Sequence, residues 1–296
     1  MNLFATNSNC DLAKIISSKT TLIIGKCKIT KFADQEISVF IEEDVTNQEV
    51  WVLGSTFPPA DNMLELLILI HTLKSNGAMK VNVIIPYFAY AKADQVKPPG
   101  ASLAAQLITQ AIELSGADTI TAINIHSERT INFFTKPLTH LSAISLLAKH
   151  FQEKNIKNLC VASPDSGGIK RAQQFANELE IDQLVITEKH RPAFDQVEIL
   201  RVSGDVKHKN VIIVDDMIQS GGTIIESARA LKEKGAKKIY VAVTHLVSTG
   251  PSIVLLKKER SIKKIVITDT IPQKEKLPSK FEVVSVADLI SNSIGK

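Results

Sequence analysis

The run Val211-Ile212-Ile213-Val214-Asp215-Asp216-Met217-Ile218-Gln219-Ser220-Gly221-Gly222-Thr223-Ile224 constrains this chain more than any other. Four β-branched residues in succession, apolar on both faces, read as a strand buried inside a parallel sheet. Two acids stand at its carboxyl end, followed by a small-residue turn and a helix opening near Thr223. In open α/β sheets that edge is the ligand crevice. Backbone amides of a Ser-Gly-Gly-Thr turn at a helix start form a seat for phosphate. Adjacent carboxylates can hold sugar hydroxyls or a metal-bound substrate. One element thus offers a phosphate end and a polyol end, as a sugar-phosphate site requires.

The same alternation of short β-rich runs and amphipathic windows extends through the chain. Strands are expected at 21–24, 50–53, 81–85, 119–125, 159–162, 184–186, 211–214, 239–243, 265–267 and 281–284. Helices are expected at 62–74, 102–114, 143–154, 168–179 and 223–234. Asn62 with Glu65, and Thr223 with Glu226, have capping-box spacing. Gly77, Gly116 and Gly235 follow helices as stop signals. Such alternation argues for parallel sheets with crossover helices. Gly116-Ala117 leading to a strand and His126, and Gly235-Ala236 leading to a strand and His245, repeat 119 residues apart (116 to 235, 126 to 245). The repeat points to a duplicated α/β domain.

The chain has 296 residues, room for two domains of ordinary size, which the pattern divides at 1–145 and 146–296. No apolar run approaches the roughly 20 residues that span a bilayer, so no membrane association is expected. Met1-Asn2-Leu3-Phe4-Ala5-Thr6 shows no basic-then-apolar leader, and a cytoplasmic location is expected. Cys10, Cys27 and Cys160 are odd in number and far apart, which reads as reduced thiols without zinc spacing. The net charge of +4 is small and the basic residues are dispersed, so nucleic acid is not an expected partner.

Other segments combine chemistry-bearing side chains. Ser163-Pro164-Asp165-Ser166-Gly167-Gly168 is a second glycine turn between a strand and a helix, with amides for phosphate and a carboxylate for metal. Lys189-His190-Arg191-Pro192 opens a polar stretch whose cations suit charge on a transferring phosphoryl group. His126 closes an apolar strand. Phe32-Ala33-Asp34-Gln35-Glu36 and Ile85-Pro86-Tyr87-Phe88-Ala89-Tyr90-Ala91-Lys92-Ala93-Asp94 mix aromatics with charge. Each also has a plain structural reading: an N-capped turn, a solvated basic loop, a strand-end histidine, an aromatic core edge.

In this order, these segments resemble the ribose-phosphate pyrophosphokinase, or phosphoribosyl pyrophosphate (PRPP) synthetase, family, from Phe4 to about Leu289. The resemblance implies an α/β fold of two tandem phosphoribosyltransferase-like domains, each a mainly parallel sheet flanked by helices. It implies transfer of the diphosphoryl group of ATP to the C1 hydroxyl of ribose 5-phosphate, with Mg²⁺ as cofactor. Asp215 and Asp216 would hold the ribose hydroxyls, and Gln219, Ser220, Gly221, Gly222 and Thr223 the 5-phosphate. Lys189 matches the family's catalytic lysine and Arg191 its companion. Phe32, Asp34, Glu36, Lys92 and Asp94 match ATP-binding positions. His126 and Asp165 match positions that meet the metal. The loop at Phe32 would serve a neighbouring subunit, implying a homo-oligomer, a dimer or a multiple of dimers.

Departures concentrate where nucleotide and metal are handled. The family's usual Arg-Gln-Asp reads Lys92-Ala93-Asp94, its Asp-Gly-Glu reads Asp34-Gln35-Glu36, and its Asp-Leu-His reads Asn124-Ile125-His126. Gln219 stands where an acid is usual. Two other readings therefore stand beside the enzyme: a non-catalytic synthetase-like regulatory partner with a degraded ATP site, and a phosphoribosyltransferase that consumes PRPP.

Overall fold

The β-branched runs satisfy their backbone edges by pairing in two separate, mainly parallel sheets and bury their faces under flanking helices. A computed structural model describes residues 1–190, 199–273 and 275–294. It resolves into two compact units, the first holding 1–142, 270–272 and the residues from Ser285 on, the second 143–269 and 273–284.

The first unit contains β1 (Asn2–Ala5), α1 (Cys10–Lys19), β2 (Ile23–Ile24), β3 (Cys27–Lys31), β4 (Ile37–Ile41), β5 (Glu49–Leu53), α2 (Asp61–Ser75), β6 (Lys80–Ile85), α3 (Ala104–Leu114), β7 (Thr119–Ile123), α4 (Glu128–Ile131) and β8 (Leu138–Leu141). Its sheet runs β2-β1-β5-β6-β7-β8, parallel throughout. Strands β3 and β4 form a separate antiparallel hairpin.

The second unit contains α5 (Ile144–Glu153), β9 (Leu159–Ser163), α6 (Ile169–Glu178), β10 (Leu184–His190), β11 (Ile199–Ser203), β12 (Asn210–Ile218), α7 (Gly222–Glu233), β13 (Lys238–Leu246), α8 (Ser252–Lys258), β14 (Ile262–Thr268) and β15 (Phe281–Val284). A last helix, α9 (Ala287–Ser291), belongs to the first unit. The second sheet runs β11-β10-β9-β12-β13-β14-β15, parallel except for β10 with β11. Its faces pack separately. Val211 and Ile213 join Ile224 and Leu231 on one side, while Ile212 and Val214 join Phe151 and Phe175 on the other.

The expected α/β class with mainly parallel sheets is present in both units. Several details differ. The capping boxes do not form: α2 is capped at Ala60, Asn62 Nδ2 donates to the Phe57 carbonyl at 2.7 Å, and Glu65 accepts from Asn7. Helix α7 is entered through Gly221 at φ 81°, so Thr223 already lies inside it. The glycine stops do form. Gly77 and Gly235 sit at φ 87° and 91°, and the following alanines bond back to Leu73 and Leu231 in the Schellman pattern.

The duplication is real in topology, but its register is not the 119-residue one. Matching the sheet orders pairs β5 with β12, β6 with β13 and β7 with β14. Gly77-Ala78 before β6 is then the counterpart of Gly235-Ala236 before β13. The offset matches β7 to β13 because α2, α3 and α7 all end in the same kind of glycine stop.

At one rim of the second unit, Glu282 on β15 gathers His150 Nε2 at 3.0 Å, Lys154 Nζ at 2.6 Å and Lys264 Nζ at 3.1 Å. Burial alone would raise its pKa, but the hydrogen bonds from Lys154, His150 and Lys264 outweigh that and pull it to about 2. A depressed carboxylate stabilises the fold fully above its ordinary value of 4.5 and loses that contribution as pH falls through about 2. Glu282→Gln should therefore lower stability at pH 7 by roughly 1–2 kcal/mol. Thermal unfolding of both proteins from pH 7 down to pH 2.5 should show the gap narrowing; a constant gap would mean that packing, not charge, holds this rim.

Candidate functional site

In the second unit the functional side chains collect at the carboxyl edge of the sheet. Strand β12 does not stop at Val214, where the apolar run ends; it continues through both acids to Ile218, pairing Asp215 with Val243 and Met217 with His245. The chain then turns through Gln219 and Ser220, both exposed, into Gly221. Gly221 is left-handed, and a Cβ there would lie 3.2 Å from Leu256 Cγ, so both backbone angle and space call for glycine. The turn is fixed from behind, since Val247 and Thr249 donate to the carbonyls of Ile218 and Gln219 at 2.9 and 3.1 Å. Gly221 has no side chain with which to cap α7, and the first amide of the helix, that of Gly222, donates to the Ser220 hydroxyl at 3.4 Å. That is an anion seat at a helix start.

Beside it lies an open cleft of ≈ 510 Å³ lined by Pro164, Asp165, Ser166, Glu188, Thr223, Glu226 and Ser227. The structure thus brings the second glycine turn, Asp165 included, against the first turn of α7. Asp165 Oδ1 accepts from the Gly168 amide at 2.9 Å, which holds the carboxylate at the turn. The Lys189 backbone pairs with Leu200 inside β10, one residue after the cleft-lining Glu188. Lys189 and His190 thus belong to a strand and not to the polar loop expected to follow it. Arg191 lies outside the described residues.

The acid pair has a partner that sequence reasoning missed. Arg171, in the first turn of α6, places Nη1 2.7 Å from Asp215 Oδ1 and Nη2 3.5 Å from Asp216 Oδ2. Asp216 is nearly buried and Asp215 largely so. Burial, then the charge of Asp216, raises the Asp215 pKa to about 7 against the opposing pull of Arg171. The acids lie 44 residues from Arg171, and nothing local in the chain announces the pair.

In the first unit the expected nucleotide residues fall in two places. Phe32, Asp34 and Glu36 occupy the exposed turn of the β3–β4 hairpin. Gln35 stands at φ 74°, keeping the left-handed backbone that a glycine would adopt freely. Asp34 and Glu36 line a pocket of ≈ 400 Å³ with Asp61, Leu64 and Ile68 of α2. Lys92 and His126 are exposed beyond the carboxyl ends of β6 and β7. Asp94, expected to face nucleotide, is buried, accepts the hydroxyl of Ser127 and lies 3.8 Å from Arg129 Nη1. It ties the loop after β6 to the loop after β7. Asn124 takes φ 44° and ends β7 two residues before the strand limit expected from its apolar run.

Among the described residues no three His, Cys, Asp or Glu side chains converge as a metal cage. Asp165 alone presents a carboxylate to the cleft from the assigned metal positions. That donor set fits a hard cation carried in on substrate phosphates, which needs only one or two protein carboxylates.

Comparison with known proteins bears on both units. The family model for the N-terminal domain of ribose phosphate pyrophosphokinase matches residues 1–116, and that for the phosphoribosyl transferase domain matches 132–280. Ribose-phosphate pyrophosphokinase of Fusobacterium nucleatum subsp. nucleatum is 38% identical over 100% of this chain and 94% of its own length. That of Bacillus subtilis is 33% identical over 99% and 93%. The crystal structure of phosphoribosylpyrophosphate synthetase from Mycobacterium smegmatis matches with a TM-score of 0.92 at 31% identity, covering 99% of this chain and 96% of that one.

The left-handed turn gives a direct test of the anion seat. Gly221→Ala should weaken binding of ribose 5-phosphate by roughly tenfold or more, because strain of about 1–2 kcal/mol and the Leu256 contact displace the amides. Calorimetric titration of the variant checks this; unchanged affinity would move the phosphate elsewhere.

Proposed function

The chain belongs to the ribose-phosphate pyrophosphokinase family, and we propose that its sugar-phosphate end is the Asp215–Thr223 edge of the second unit. Its activity is that of a ribose-phosphate diphosphokinase. The diphosphoryl group of ATP passes to the C1 hydroxyl of ribose 5-phosphate, giving PRPP and AMP. The observation that supports the site assignment is the continuity of β12 into the left-handed Gly221, which caps α7 without a side chain. Paired carboxylates and the start of a helix thus share one short segment.

In this reading the 5-phosphate accepts hydrogen bonds from the amides of the Gln219–Thr223 turn and from the hydroxyls of Ser220 and Thr223. Asp215 and Asp216 accept from the ribose hydroxyls and orient C1. Gln219 contributes an amide where the family usually has an acid, so the seat carries one negative charge less beside a dianionic phosphate. Lys189 and Arg191 bring cations to the phosphorus under attack and to the departing AMP. Displacement at phosphorus needs positioning and charge neutralisation more than covalent help.

The nucleotide end is assigned to the first unit. Phe32, Asp34 and Glu36 present an aromatic face and acceptors for a base, and Lys92 supplies charge to phosphates. Asp94 serves by holding Ser127 and Arg129 in place beside His126. The family uses a divalent cation; the positions assigned to it are Asp165 in the second unit and His126 in the first, and Mg²⁺ would neutralise charge on the transferred group. The hairpin turn serving a second subunit makes the enzyme a homo-oligomer. No helix among the described residues is long and apolar enough to cross a membrane, and a cytoplasmic location accords with this.

Two substitutions test the division of labour. Lys189→Ala should cut turnover by roughly 10²-fold or more with ribose 5-phosphate affinity nearly unchanged, since the cation acts on the transition state. Steady-state AMP formation with parallel calorimetry reads both quantities; a change below threefold would remove Lys189 from the chemistry. Lys92→Arg with Ala93→Gln should lower the KM for ATP, because a guanidinium donates two parallel bonds to phosphate where an ammonium offers one point charge. An unchanged or raised KM would turn these positions away from the nucleotide.

A further inference from the structure

Two adjacent, largely buried carboxylates are poor acceptors for a sugar unless something keeps both ionised. Each loses hydration, and each repels the other. The charged groups acting on Asp215 are Asp216 on its own strand and Arg171 on α6. The first two influences, burial and the neighbouring charge, favour the protonated acid; Arg171 is the foremost opposing one, with the Asp216 amide adding to it. A protonated Asp215 would present an O–H where the ribose needs an acceptor, and would surrender half of a hydroxyl pair's recognition.

The guanidinium is placed for this task. It spans the pair, 2.7 Å from one carboxylate and 3.5 Å from the other, with only 18% of its side chain exposed. A Cβ at Gly168 would lie 2.7 Å from Ser163 Oγ and 3.4 Å from Nη1, so Ser163 is what calls for the glycine, and the arginine passes at contact distance beside the turn that carries Asp165. A lysine would reach one acid as a point charge but could not fork across two. Two of the four carboxylate oxygens are taken by Arg171, and Asp215 Oδ1 and Asp216 Oδ1 also accept the amides of Asp216 and Met217. The pair is thereby fixed in orientation as well as in charge.

We propose that Arg171 is the positioning residue of the sugar site, holding Asp215 and Asp216 as a rigid, ionised pair of acceptors for the ribose hydroxyls. The assignment rests on the sugar-site reading above. Arg171 touches neither the reacting phosphorus nor C1; it acts through the acids. Sugar affinity in the native enzyme then changes with pH around neutrality, where Asp215 ionises, and removal of the guanidinium moves that change to higher pH.

The test is ribose 5-phosphate binding and steady-state kinetics of the wild-type enzyme, Arg171→Gln and Arg171→Lys between pH 6 and 9.5. In Arg171→Gln the folded-state pKa of Asp215 rises further, so the dissociation constant and KM for ribose 5-phosphate should rise at pH 7 by roughly tenfold. Both should recover toward the wild-type values as pH approaches 9.5, while the KM for ATP moves less than about threefold. Calorimetry of this variant in buffers of different ionisation enthalpy should show more proton release on binding at pH 7 than the wild type. Arg171→Lys, which keeps the charge, should keep the pH profile close to the wild-type one with weaker binding. A loss in Arg171→Gln that is the same at every pH, or shared equally by both substrates, would overturn the proposal. So would a pH-dependent loss in Arg171→Lys equal to that in Arg171→Gln. If wild-type protein itself binds no ribose 5-phosphate at any pH, the sugar-site reading fails first.

Discussion

A parallel sheet covered by helices on both faces leaves its strand ends as the only open ground for polar chemistry, and the second unit is organised around that restriction. Val211–Val214 can satisfy their burial only between β9 and β13. The strand therefore delivers its next two residues, both acids, to the carboxyl edge with no freedom to turn aside. Everything that makes the edge useful follows from holding it still. Leu256 behind Gly221, the amides of Val247 and Thr249, and the Arg171 fork each fix one part of it.

The first unit shows what the same topology becomes when that edge is filled. Its counterpart of β12 is β5, which ends in Leu53 and passes into Gly54-Ser55-Thr56 without an acid. There Ser55 donates its amide to Ser8 and Asn9 and its hydroxyl to the Thr270 carbonyl, and all of these side chains are buried. A Cβ on Gly54 would lie 2.7 Å from Thr6 Oγ1. Polar side chains of the chain itself fill this end of β5. The twin sheets thus share a frame and differ in chemistry, with the exposed charges of the first unit displaced to its hairpin and to the loops after β6 and β7.

Much of the frame was legible because burial on two faces writes itself into composition. Strand cores such as 81–85 and 211–214, and helices with three full turns, showed their period. The four-residue strands β1 and β8 are too short to show any. The β3–β4 hairpin was hidden by Gln35, since a glutamine at φ 74° withholds the glycine that normally announces such a turn. The strand–turn–helix edge at 211–224 was legible as a contiguous segment, down to its glycines. Arg171 was not, because an ion pair between two elements leaves no trace in local spacing. Asp94 was legible as a charged residue after β6, but its burial against Ser127 was not, since a carboxylate's partner is decided by packing.

The account holds that the Asp215–Thr223 edge, proposed as the sugar-phosphate site, still serves diphosphoryl transfer in a chain whose proposed nucleotide residues are altered. The measurement that bears on this most directly is phosphorus NMR of the purified chain with ribose 5-phosphate and Mg-ATP. Equal amounts of AMP and PRPP, with no ADP formed, are the predicted result. ADP in place of AMP, or no product from folded protein that binds ribose 5-phosphate, would contradict it.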